Sequence, residues 1–147
     1  YRRHLECGWW TFCWSCYRLV YSFMFDKSVR KIEETIRIYF DGLFFGDIDK
    51  LKKAFDAECV LFGDINGESY RKSLEDYLAG VKNRKSPSEL KETFKMEILA
   101  IEVLGHVAIV KLHVPMLGYN YYDFLSLTEI DGEWKIVNKL FVHVGNV

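Results

Sequence analysis

A single carboxylate among aliphatic strand residues is the feature of this sequence most suggestive of chemistry. Asp123 lies in Tyr122-Asp123-Phe124-Leu125-Ser126-Leu127, where side chains alternate and Asp123, Leu125 and Leu127 share a face. Burial disfavours the charged form of a carboxyl, so Asp123 there could act as a general base or as a neutral hydrogen-bond donor. Asn138, on the same face in the simplest register, would orient it, and Tyr39 would polarise a carbonyl oxygen. Tyr39, Phe40, Phe62 and Tyr77 would add the aromatic lining that a small aromatic or cyclic ligand needs. Each residue also has a plain structural reading: Asp123 as a rim residue bonded to a loop, the tyrosines as core aromatics.

Other chemistries find little support. His4, Cys7, Cys13 and Cys16 include the half-site Cys13-x-x-Cys16, but the remaining spacings match no common zinc module, so no metal is expected. Glycine-rich phosphate loops, a Ser/His/Asp order and an HExxH run are missing from the sequence, and nothing implies a cofactor.

The elements that position these residues follow from the turns. Asp131-Gly132 is a strong two-residue hairpin signal, because both central positions of a type I′ turn require positive φ. With Ile130 and Glu133 as its closing pair, Asp123, Leu125 and Leu127 share a face with Trp134, Ile136, Asn138 and Leu140. Gly105-His106 is a second such turn and places Leu99, Ile101 and Val103 beside Ala108, Val110 and Leu112. A longer turn at Leu117–Asn120, with Val114 opposite Asp123, merges the two apolar sets. Residues 97–141 thus read as four long strands. Their other face carries Ile98, Ile109, Lys111, His113, Tyr122, Phe124, Lys139 and Phe141, too apolar for simple solvation, and a second copy of the chain is expected to cover it.

Ahead of this sheet, Val29, Ile32, Ile36, Tyr39, Phe40 and Leu43 form one stripe of a helix from Ser28 to about Phe45. Asp47 caps a short helix near 48–55, strands follow around 58–62 and 69–71, and a third helix spans about Ser73–Asn83. Residues 84–92 read as a charged loop.

A chain of 147 residues, half of them apolar, is expected to form one domain. Its net charge of −1 gives no general attraction to nucleic acid or anionic membrane. Outside the first 23 residues Cys59 stands alone, which fits a cytoplasmic setting. Residues 1–23 differ in character from the rest. They are expected to be a leader outside the fold, with the native protein starting at Met24 and the domain spanning 24–147. The apolar run 8–25 is interrupted by Arg18 and is short for a membrane span.

This order of elements resembles the nuclear-transport-factor-2-like, cystatin-like α+β cone fold, within its lumazine-binding, SnoaL-like group. The resemblance rests on Ile36–Gly42 with Gly46-Asp47, on Lys53-Ala54-Phe55 and Tyr77-Leu78, and on Asp123–Leu127 with Asp131–Val137. It implies a curved antiparallel sheet wrapping three N-terminal helices, a pocket between the first helix and the concave face, and a homodimer through the convex face. Isomerase-like relatives carry a base on the first small strand, where this chain has Leu61-Phe62-Gly63, and the paired carboxylates of epoxide-hydrolase-like relatives cannot be assembled. Three readings stay open. They are a small-ligand-binding domain, an isomerase, dehydratase or cyclase using Asp123 as acid/base, and a non-catalytic interaction or dimerisation module.

Overall fold

The computed structural model describes residues 14–145, with side chains from Phe25 onward. Three helices, α1 (Trp14–Phe45), α2 (Ile48–Ala54) and α3 (Leu74–Lys82), pack on a six-stranded sheet. Its strands are β1 (Phe55–Ile65), β2 (Glu68–Ser73), β3 (Glu97–Leu104), β4 (Val107–Met116), β5 (Tyr119–Ile130) and β6 (Glu133–His143), in the order β2-β1-β6-β5-β4-β3. The expected cone is present, with one difference: the sheet is mixed, because β1 runs parallel to β6. The chain enters β1 directly from α2, so it arrives beside β6 in the same direction.

Helix α1 forms on the anticipated stripe. Ile32, Ile36, Tyr39, Phe40 and Leu43 are all buried, at the spacing of one helical face. It ends in a Schellman arrangement, with Gly46 at φ 70° and the Asp47 N–H bonded to the Gly42 carbonyl at 2.9 Å. Its start differs from the expected Ser28, since the helical backbone already begins at Trp14 and continues unbroken. Residues 1–13 of the expected leader, with His4, Cys7 and Cys13, lie outside the described residues. Among the described residues no helix is long and apolar enough to cross a membrane.

Asp47 caps α2 by accepting from the Asp49 and Lys50 N–H groups, and Ser73 caps α3 through Asp76. Asn66-Gly67, Leu117-Gly118 and Asp131-Gly132 each have two consecutive positive φ values, as type I′ hairpins require. Leu117-Gly118 makes the β4–β5 turn tighter than expected and pairs Leu112, rather than Val114, with Asp123. A shift of two residues keeps every side chain on its own face, so the apolar merger survives. A bulky residue such as Leu117 resists this backbone region, and the Glu92 carboxylate holds the turn by accepting its N–H at 3.0 Å through both oxygens.

Two bulges change which side chains face inward. Between β3 and β4 the register shifts at Leu99, so Ile98 turns toward the core and Leu99 is exposed. Between β5 and β6, Leu127 faces Ile136 but Ser126 faces Asn138, leaving Val137 as the extra residue. From that point Leu125 pairs with Lys139 and Asp123 with Phe141. Lys139 and Phe141, expected on the convex face, are therefore buried, and Leu140, expected inside, is exposed.

Candidate functional site

Asp123 is completely buried, and the bulge at Val137 delivers its counter-charge. The Lys139 ammonium donates to Asp123 Oδ2 at 2.8 Å and to the Tyr39 oxygen at 2.6 Å. The Tyr39 hydroxyl in turn donates to Asp123 Oδ2 at 2.6 Å. Three elements meet here, with α1 supplying Tyr39, β5 Asp123 and β6 Lys139. The Lys139 side chain is only 5% exposed, and its charge also lies over the rings of Tyr39, Tyr77 and Phe141 at 5.0–5.8 Å.

Beside this cluster is a cavity of about 70 Å³, lined by Ile65, Tyr70, Tyr77, Arg84, Met116, Tyr121, Lys139 and Phe141. It lies at one end of the cone, between α3, the loop after it, and the sheet. Three buried polar atoms of this cluster and cavity, Tyr77 Oη, Arg84 Nη2 and Asp123 Oδ1, lack a hydrogen-bond partner of good geometry, although the Arg84 and Tyr77 side chains lie near one another. Unsatisfied buried groups are costly and rare in native proteins, and two of these three, Tyr77 Oη and Arg84 Nη2, belong to residues that line this cavity. Arg84 takes part in none of the ion pairs among the described residues. The neighbourhood therefore carries two cations, Lys139 and Arg84, against one partnered carboxylate.

Electrostatics follow from this imbalance. Burial lowers the Lys139 pKa below the usual ammonium range, Asp123 opposes the shift, and the Arg84 charge adds to it. Burial pushes Tyr39 well up, reinforced by the Asp123 charge, and raises Tyr77 while Arg84 pulls it back. Tyr70 and Tyr121 are each pushed up to about 12, again mainly by burial.

These shifts set an alkaline limit on stability. A tyrosine with a raised folded-state pKa stabilises the fold below its unfolded value near pH 10, and that contribution is lost as pH climbs through the folded value. Cys59, raised to about 12, acts in the same direction. Lys139 has the opposite sign, but only up to its unfolded value of 10.5. The urea midpoint should therefore fall steeply between about pH 10 and 11.5, and a flat midpoint over that range would show that the tyrosine hydroxyls are not held in a low-dielectric site.

The structure sorts the anticipated site residues. Tyr39, Tyr77 and Asp123 come together around Lys139. Phe40 is buried but packs on Tyr39 and Phe94 as core. Phe62 is 38% exposed beneath Arg71 and faces away from the cavity, because Leu61 takes the inward position on β1. Asn138 donates to the Val60 carbonyl at 3.0 Å, tying β6 to β1, and does not reach Asp123. Lys139, Arg84, Tyr70 and Tyr121 were not anticipated. The signal that could have found Lys139 is charge balance, since a buried Asp123 needs a cation and β6 is its neighbouring strand.

A fold of this shape is that of the nuclear-transport-factor-2-like class. An NTF-2-like protein of unknown function from Silicibacter pomeroyi superimposes with a TM-score of 0.73 at 21% identity, covering 81% of this chain and 98% of that one. A second, from Shewanella baltica, gives 0.73 at 21% identity over 82% and 96%. Within that class, residues 27–142 match the family described as putative lumazine-binding, and the chain belongs to it. Among curated proteins, it is 28% identical over 109 residues to a Cladobotryum protein named aldolase FrzH, covering 73% of this chain and 84% of that protein.

Proposed function

We propose that this chain is a small-ligand-binding domain that holds an anionic oxygen group, a carboxylate or an enolate, in the cavity beside Lys139 and Arg84. The observation that carries this reading is the half-buried Arg84, a cation with no carboxylate partner among the described residues, whose Nη2 is unpartnered at the same cavity as Tyr77 Oη. Arginine with a tyrosine hydroxyl is a fitting donor set for a planar carboxylate, and the aromatic walls favour flat ligands. At about 70 Å³ the cavity has room for roughly two waters, so it takes a very small molecule or the polar end of a larger one.

The reading is tested by saturation-transfer NMR with propionate and with propionamide, which has the same shape and no charge. Propionate should show transfer that Arg84→Gln weakens, and propionamide should show none. Equal transfer to both compounds, or none to propionate, overturns the reading.

A second reading, proton transfer next to a carbonyl, is favoured by the Tyr39–Asp123–Lys139 contacts at 2.6–2.8 Å and by the relative named as an aldolase. Asp123 would take the proton and Lys139 would stabilise the developing oxyanion. Deuterium uptake by a small enolisable ketone, abolished by Asp123→Asn, is its expected signature. Uptake unchanged by that substitution removes Asp123 from the role.

The convex face supplies the proposed homodimer surface. Leu104, Val107, Ile109, Phe124 and Leu140 are exposed there, Leu104 by 74%. The expected outcome for Phe124→Asp is a monomer by sedimentation, where the unsubstituted protein is a dimer. A dimer that survives this change places the interface elsewhere.

A further inference from the structure

We propose that Lys139 forms an imine with small 2-oxo acids, its amine taking the carbonyl carbon while Arg84 takes the carboxylate. This deepens the anion-binding reading and rests on it. The premises are geometric. Lys139 and Arg84 line one cavity, whose volume of about 70 Å³ admits the polar end of a small 2-oxo acid. A lysine in such a place is withdrawn from water, beside a second cation, and has a proton acceptor in direct contact.

The step balances without an added reagent. The ammonium passes one proton to Asp123 Oδ2, directly over 2.8 Å or through the Tyr39 hydroxyl, which contacts both groups at 2.6 Å. The nitrogen lone pair then forms a bond to the carbonyl carbon, and the carbonyl oxygen becomes a hydroxyl by taking the second proton from nitrogen. Asp123 returns its proton to that hydroxyl, the C–O bond breaks, and water leaves. Ammonium and ketone thus give a protonated imine and water, with charge conserved. The product remains cationic, so the Asp123 contact and the rings of Tyr39, Tyr77 and Phe141 that hold the ammonium also suit the imine.

The test incubates the purified protein with pyruvate and sodium cyanoborohydride, which reduces an imine to a stable amine, followed by intact mass and peptide mapping. One adduct should form, at Lys139. It should be lost in Lys139→Arg, weakened in Arg84→Gln, and weaker when acetone, which lacks the carboxylate, replaces pyruvate. Adducts spread over surface lysines, with none at Lys139 in the unsubstituted protein, overturn the proposal and require no variant to fold. Propionate binding keeps the two readings apart. If propionate binds and pyruvate leaves Lys139 unmodified, the imine fails and the anion site stands. If neither binds nor reacts, both fail. Suppression of the Lys139 adduct by excess propionate supports both at once.

Discussion

Asp123→Ala should lower the unfolding free energy by about 3–5 kcal/mol near neutral pH, because it leaves a buried ammonium without its counter-ion. It also removes the acceptor for the Tyr39 hydroxyl, which is fully buried and bonds to Asp123 at 2.6 Å. The deficit depends on pH in a direction the site dictates. The Lys139 pKa is lowered by burial, with Asp123 opposing, so removing Asp123 lowers it further. A base with a depressed folded-state pKa costs stability below that value, and the cost is relieved as pH rises toward 10.5. The Ala variant should therefore lose more at about pH 6 than at about pH 9 in urea melts. Asp123→Asn with Lys139→Met removes both charges and should recover most of the loss, since replacing a whole buried pair is often neutral or stabilising. A double variant as unstable as Asp123→Ala would mean that the site is held by packing rather than by the pair.

The same pair shows where reading the sequence succeeds and where it stops. The helix stripe, the Asp47 cap and the Asp131-Gly132 turn were legible because each is a local rule with a fixed spacing. Asp123 stood out because a carboxylate among aliphatic residues breaks the alternation pattern. Its partner was hidden by a bulge, and nothing in Ile136-Val137-Asn138-Lys139 marks one, since the extra residue is an ordinary valine. Every residue after the bulge then changed face, which exchanged Asn138 and Leu140 for Lys139 and Phe141. The β4–β5 turn shows the converse. Its register was misread by two residues, yet no face changed and the inward set was still found. Arg84 was out of reach for a different reason. It follows α3 in an irregular loop, where no periodicity assigns a direction, and only the folded chain brings it beside β6.

Arg84 is also the residue whose loss should separate binding from folding. Arg84→Gln removes a charge that has no ion-pair partner among the described residues, so no buried carboxylate is orphaned by the change. Its guanidinium further depresses the Lys139 pKa, so its removal eases the cost of keeping that ammonium charged. Stability near neutral pH should stay level or rise slightly, with the pKa of Lys139 moving upward. Carboxylate affinity should fall by about ten- to a hundredfold, the worth of a charge-assisted hydrogen bond of roughly 1.5–3 kcal/mol. Titration of propionate by NMR, alongside urea melts of the same samples, reads both quantities. Unchanged affinity would place the anion elsewhere. A large loss of stability would make Arg84 a structural support of α3 and Tyr77, and the unpartnered Nη2 would then need no ligand to explain it.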